Sequence, residues 1–351
     1  MELREFLKSA YEMSASDVFV IPGAKVSCKV KGEIVSISED ILMPADSEVL
    51  IGQAYEYAKR DRGILDKEGD DDFSFPLKGV SRFRCNTYFQ RGTVAATLRM
   101  IAFDLPDPKL LNIPDSVIDL GKIKNGMILV TGPAGSGKST TMACIIDWIN
   151  NNRNGHIVTI EDPIEYLHKH RRSLISQREV PNDAHSFARA LRAALRQAPE
   201  VIMLGEMRDL ETIQTAITAA ETGHLVLSSL HTTGAAKTVD RVLDTFPAEQ
   251  QAQIRMQLSV VLRAVVSQRL IPLTAGGQRA VFEVMTVNTA IQNMIRDGKT
   301  HQIENAIFGG TREGMISMDQ ELHKLYKEGM ITKDNALLYA ISPETLKNRL
   351  N

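Results

Sequence analysis

The stretch VTGPAGSGKSTTM, Val130–Met142, constrains this chain more than any other. It satisfies G-x-x-x-x-G-K-[ST] from Gly132 to Ser139, with a further glycine at Gly135. MILVT before it reads as a short buried strand and Ser139–Ile149 after it as a helix, the strand–loop–helix context that such a loop requires. Glycines let the backbone turn so that several N–H groups face one anion, and the helix adds its positive N-terminal end. Gly132, Pro133, Ala134, Gly135, Ser136, Gly137, Lys138, Ser139 and Thr140 are thus the candidate phosphate cradle. Lys138 brings positive charge to the β- and γ-phosphates and Ser139 a hydroxyl for Mg²⁺, so ATP and Mg²⁺ are the expected ligands.

From Gly126 onward, strand and helix alternate. HIVTI, VIMLG and LVLSSL are continuous apolar runs separated by the helical patterns FARALRAALRQ and LETIQTAITAAET. Unalternated strands between helices indicate an α/β fold with a parallel sheet covered on both faces. Beyond about residue 285 the pattern turns mostly helical, near 288–297, 318–328 and 333–341. Upstream the chain reads differently. Leu3, Phe6, Leu7, Ala10 and Tyr11 recur at helical spacing, and DVFVIPG, KVSCKVKGEIVSI and FRCNTYF read as strands with glycine at the turns. A second helix fits Ser47–Lys59, which makes an α+β unit. At roughly 150 residues per domain, 351 residues hold about two domains. The boundaries fall at 1–101 for the α+β unit, 102–125 for a connector carrying Pro106, Pro108 and Pro114, 126–285 for the nucleotide core and 286–351 for the helical end.

Charge and cysteine content narrow the function. A net charge of −2 argues against a generally basic nucleic-acid binder, and no nucleic-acid partner is expected. Cys28, Cys85 and Cys144 form no C-x-x-C pair, which supports neither a zinc site nor a disulfide framework and suits a reduced, cytoplasmic compartment. The N-terminal helix carries charges throughout and lacks the apolar core of a signal peptide. The apolar run SVVLRAVVS is cut by Arg263 well short of the roughly 18 residues that span a bilayer. A membrane role therefore has to pass through a partner.

Further candidates lie where parallel strands end, the edge on which such sheets bind ligands. HIVTI delivers Glu161 and Asp162, Pro163 stops the strand, and Glu165 follows. One of these carboxylates can polarise an attacking water or hold Mg²⁺ through water; alternatively the segment is a solvated acidic turn. VIMLG ends in Gly205, read as leaving room at the sheet edge, with Glu206 taking the carboxylate role and completing, with Ser139, the expected Mg²⁺ contacts. Arg208 and Asp209 read as a local ion pair capping the next helix. His231 follows LVLSSL and is placed to hydrogen-bond a γ-phosphate, whereas His224 ahead of that strand reads as an ordinary satisfied histidine. Arg82 and Arg84, two apart on a strand with Arg99 beyond, share a face. They are either solvated edge charges or arginines that reach a nucleotide held by another subunit.

Four blocks, GPAGSGKST, TIEDPIEY, VIMLGEMRD and TGHLVLSSLHTTGAAKTVDRVLDTFP, stand in an order that closely resembles the hexameric secretion ATPases of type IV pilus and type II secretion systems. Within them, the length, the absence of a paired C-x-x-C insert, and the segments QREV, FPAEQQAQIRMQLS and AIQNMIRD resemble the pilus-retraction (twitching-motility) ATPases. The resemblance implies a PAS-like N-terminal domain, a RecA-like ATPase domain, a homohexamer, an inner-membrane pilus platform protein as partner, and a second retraction ATPase beside it. It also implies a cytoplasmic protein held at the membrane's inner face by that partner. By the same likeness Glu165 is the catalytic glutamate, Glu206 the acidic-strand carboxylate, His231 the γ-phosphate sensor, and Arg82, Arg84 and Arg99 arginines at a subunit boundary. The chain departs from the family pattern at Ala134, at Ala198-Pro199-Glu200 and at Gln292, which stands where arginine is usual. An extension or secretion ATPase is the alternative inside this superfamily. Outside it, a nucleic-acid motor would use the basic face Arg189, Arg192 and Arg196, and a partner subunit would bind nucleotide but turn it over slowly.

Overall fold

The computed structural model describes residues 2–101 and 105–350, and the chain divides into two compact units, 1–104 and 105–351. In the first, helix α1 (Leu3–Glu12) leads into strands β1 (Asp17–Val20), β2 (Lys25–Val30) and β3 (Glu33–Ile41), then helices α2 (Pro44–Ala58) and α3 (Gly63–Glu68), then strands β4 (Asp70–Leu77), β5 (Ser81–Gln90) and β6 (Thr93–Ile101). The six strands form an antiparallel sheet in the order β3-β2-β1-β6-β5-β4. Leu3, Leu7 and Ala10 of α1 and Leu50, Ile51 and Ala54 of α2 share a core with Val18, Phe75, Phe83 and Leu98 of the strands. The helical stripe read from the sequence thus holds, except that Tyr11 is exposed. Helix α2 begins before its expected start because Pro44 occupies its first turn and the Asp46 carboxylate accepts from the Met43 N–H at 2.8 Å.

The second unit opens with α4 (Asp115–Ile118), a short 3₁₀ turn and strand β7 (Gly126–Thr131). Helix α5 (Lys138–Asn152), β8 (His156–Glu161), β9 (Leu174–Glu179), α6 (Phe187–Ala194), β10 (Val201–Leu204), α7 (Leu210–Glu221) and β11 (Leu225–Leu230) follow. After α8 (Ala235–Asp244) and α9 (Ala248–Val261) come β12 (Leu262–Pro272) and β13 (Gln278–Thr286), then α10 (Thr289–Arg296), α11 (Ile303–Gly309), α12 (Met318–Lys327), α13 (Lys333–Tyr339) and α14 (Pro343–Leu350). The sheet order is β13-β12-β7-β11-β10-β8-β9. Every neighbouring pair is parallel except β12–β13, so the expected parallel sheet carries an antiparallel strand at one edge.

Alternate residues of β7 face opposite cores. Met127 and Leu129 join one and Ile128 and Val130 the other, as burial on both faces demands. Residues 102–104 of the expected connector lie outside the described residues. Further along it, Ile113, Val117 and Leu120 are buried in the same core as Ile128 and Ile145. The stretch 113–122 is therefore packed structure of the second unit. Helices α12 to α14 bury Leu322, Leu325, Ala336 and Leu346 against Ile271 and Val281 of the terminal strand pair. Among the described residues no helix is long and apolar enough to cross a membrane.

Candidate functional site

One edge of the second sheet gathers the sequence candidates. The loop after β7, the end of β8, the turn after β10 and the residue after β11 line a cavity of about 230 Å³ with Ala134, Lys138, Ser139, Glu165, Glu206 and His231 on its wall. All of these positions follow the C-terminal ends of parallel strands, where the topology of open α/β sheets opens a crevice.

The loop's conformation requires its glycines. Gly132, Gly135 and Gly137 have φ of 147°, 74° and 88°. A Cβ on Gly132 would collide with the Gln268 carbonyl, and one on Gly137 would sit 2.8 Å from Gln268 Nε2. Gln268, in β12, also accepts from the Thr141 hydroxyl at 2.6 Å. It braces the loop and the first turn of α5 from the side away from the cavity, and no motif in the sequence marks it. Lys138 donates to the Gly132 and Pro133 carbonyls at 2.9 Å each and lies 3.5 Å from His231 Nδ1. Burial lowers its pKa below the ordinary lysine value, and the nearby Glu206 opposes that shift. Ser136 is 2% exposed and its hydroxyl has no hydrogen-bond partner among the described residues, an unmet polar group inside a loop suited to anions.

Glu206 sits between Arg208 and His231. Arg208 Nε lies 2.8 Å and His231 Nε2 3.4 Å from its Oε2. Among the described residues the expected Arg208–Asp209 pair is not formed. The expected cap is: Asp209 caps α7, accepting from the Thr212 N–H and hydroxyl at 2.8 and 2.7 Å. Gly205 is held by Ser229, whose hydroxyl donates to its carbonyl at 2.6 Å. A Cβ at Gly205 would meet the Glu161 backbone at 3.4 Å, an ordinary contact, so sterics do not require glycine there.

The carboxylates at and beyond the end of β8 part company. Glu161 is buried and accepts from the Thr159 hydroxyl at 2.6 Å, and burial pushes its pKa up to about 7. Glu165 is exposed on the cavity wall. His168 also lines the cavity, and burial pushes its pKa down to about 4. His224 donates from Nδ1 to the Ala219 carbonyl at 2.9 Å and is satisfied locally.

The three N-terminal arginines share the sheet face opposite that unit's core, since Phe83 and Cys85 between and beside them point inward. Arg84 and Arg99 stand directly across from each other on β5 and β6. Arg99 Nε lies 2.9 Å from Asp17 Oδ1, Arg84 Nε 4.0 Å from Asp72 Oδ1, and Arg82 donates to the Ser74 hydroxyl at 2.7 Å. Arg189, Arg192 and Arg196 are exposed, and Arg192 pairs with Glu211.

The cavity suits a nucleotide bound with Mg²⁺. Ser139 offers a hydroxyl and Glu165 and Glu206 offer carboxylates in its lining. Among the described residues no group of three or more His, Cys, Asp or Glu is placed to hold a metal by itself, so the ion would depend on phosphate and water oxygens as well.

The family model described as "Type II/IV secretion system protein" matches residues 115–333. The chain is 41% identical, over 98% of its length and 99% of the relative's, to the "Type IV pilus retractation ATPase PilT" of Pseudomonas aeruginosa. It is 38% identical, over 99% of its length and 91% of the relative's, to the "Type IV pilus ATPase PilU" of the same bacterium. A crystal structure of "the Pilus Retraction Motor PilT and Bound ADP" matches 99% of each chain with a TM-score of 0.89 at 45% identity.

Proposed function

This chain belongs to the type II/IV secretion system protein family, and on that premise we propose that it is an ATPase motor that retracts type IV pili. The observation that carries the reading is the likeness, over 99% of both chains, to a retraction motor that binds ADP. Lys138 and the loop N–H groups hold the phosphates, and Lys138 exchanges its two loop carbonyls for phosphate oxygens on binding. Ser139 and Glu206 would hold Mg²⁺, which would supply charge neutralisation at the phosphates. Glu165 takes a proton from the attacking water. His231, between Lys138 and Glu206, reports the presence of the γ-phosphate.

Arg82, Arg84 and Arg99 complete the site of a neighbouring subunit in a homohexameric ring, where an arginine supplied in trans stabilises transition-state charge. The protein works in the cytoplasm against an inner-membrane platform protein, with hydrolysis moving the N-terminal units about the connector. Lys138→Ala and Glu206→Ala test the site directly: ATP turnover by the purified protein should fall at least about 100-fold in each. Undiminished turnover in both overturns the assignment.

The near-equal identity to PilU, 38% against 41% for PilT, favours a second reading in which the chain is a companion retraction ATPase. Expression in cells stripped of every other retraction ATPase separates the two. Restored twitching supports the primary motor, and absent twitching the companion.

A further inference from the structure

The segment between β8 and β9 carries Glu165, and two side chains of β9 hold it from one side. Gln177 donates from Nε2 to the Tyr166 carbonyl at 2.8 Å and to Glu161 Oε1 at 3.3 Å, and accepts on Oε1 from the His168 N–H at 2.8 Å. Glu179, two residues on and 2% exposed, accepts from the Ile164 N–H at 3.1 Å and from Asn182 Nδ2 at 2.6 Å. From the other side, the Tyr166 hydroxyl lies 2.9 Å from Thr140 Oγ1, one residue past Ser139 in the phosphate loop's helix. Backbone groups at 164, 166 and 168 are therefore tied down on both sides of Glu165, while the Glu165 side chain is left exposed on the cavity wall.

The origin of this clamp lies in the sheet. β9 is an edge strand and, among the described residues, pairs with β8 alone, in the register Thr159↔Gln177 and Glu161↔Glu179. Residues two apart on a strand share a face, so Gln177 and Glu179 reach the same loop. A buried carboxylate is costly unless it is hydrogen-bonded, and the partners of Glu179 include a loop N–H and a side-chain amide. A base acts only within hydrogen-bonding reach of the water it deprotonates, and a displacement of about 1 Å can cost about 100-fold in rate.

We propose that Gln177 and Glu179 are positioning residues that fix the loop carrying Glu165 in its reactive placement, so that β9 sets the turnover rate without touching nucleotide. The proposal rests on reading Glu165 as the proton acceptor. The test uses the full-length protein, with kcat and KM for ATP, affinity for a fluorescent ADP analogue, and thermal melting. Gln177→Ala and Glu179→Ala should each lower kcat about 10- to 100-fold while KM and ADP affinity stay within about threefold. Glu179→Gln, which keeps an oxygen acceptor for the Ile164 N–H, should recover most of that rate. Adding Gln177→Ala to Glu165→Gln should cost little more than Glu165→Gln alone, because the two act through one group.

An inactive Glu165→Gln enzyme alongside unchanged rates in both alanine variants overturns the positioning role alone. A Glu165→Gln enzyme with the parental rate removes the base itself, and the proposal with it. Parallel loss of ADP affinity and melting temperature in both alanine variants, with Glu179→Gln no better, marks general collapse of the loop and also overturns it.

Discussion

Lys138 illustrates how single residues in this protein are poised between two sets of partners. Its ammonium is satisfied by two loop carbonyls at 2.9 Å. Burial disfavours its charge, so an incoming phosphate finds a cation with little solvent to displace. The loop can hold that geometry only because its glycines accept backbone angles that other residues resist. Gly137 is the sharpest case, with φ at 88° and Gln268 Nε2 2.8 Å from where a Cβ would be. Gly137→Ala should weaken binding of a fluorescent ADP analogue by at least about tenfold, reflecting roughly 1–2 kcal/mol of left-handed strain plus the clash. Pairing it with Gln268→Ala should recover only the part due to the clash. Full recovery in the double variant would show that backbone strain is not what the glycine relieves.

At the scale of elements, the strands and helices bearing motifs were legible in the sequence, and those that only brace them were not. MILVT, HIVTI, VIMLG and LVLSSL are apolar without alternation, and each is a central strand. β9, LISQRE, is polar at four of its six positions because it lies at an edge, and β12 begins inside an apolar run that continues α9, so periodicity gives no boundary there. Gln268 was illegible as a site residue because its strand carries no motif, and Gln177 stands in the QREV segment, whose family likeness assigns it no role in the site.

The β12–β13 pair also holds Glu283, which is buried and accepts from the Ala235 N–H at the start of α8 at 2.8 Å. Burial first, and then Glu304 and Asp319, push its pKa from 4.5 up to about 7. The folded protein thus keeps a proton that the unfolded chain has released between those values, and stability falls as pH climbs through that window. Glu283→Gln, which keeps an acceptor for Ala235, should melt progressively higher than the parent as pH rises from 5 to 8. A constant difference in melting temperature across that range would mean that Glu283 ionises normally in the fold.

For the whole molecule, the proposed motor divides what hydrolysis needs between its two units. The second has the loop, the carboxylates and His231, while the first has three arginines aligned on one sheet face with Asp17 and Asp72 as local partners. A shared site makes a specific prediction. Lys138→Ala protein and Arg84→Ala/Arg99→Ala protein, each inactive alone, should regain measurable ATP turnover when mixed and reassembled, because some subunit pairs then hold one intact site. Mixtures no more active than their parts would argue that the arginines do not act across a boundary.

The central claim, that this motor withdraws pili and does not build them, is tested most directly by deleting its gene from the cells that carry it. Surface pilus number would then be counted by electron microscopy and retraction followed in single cells. Abundant pili that extend but never retract are the expected result; loss of surface pili would contradict the account and place the chain with the extension ATPases.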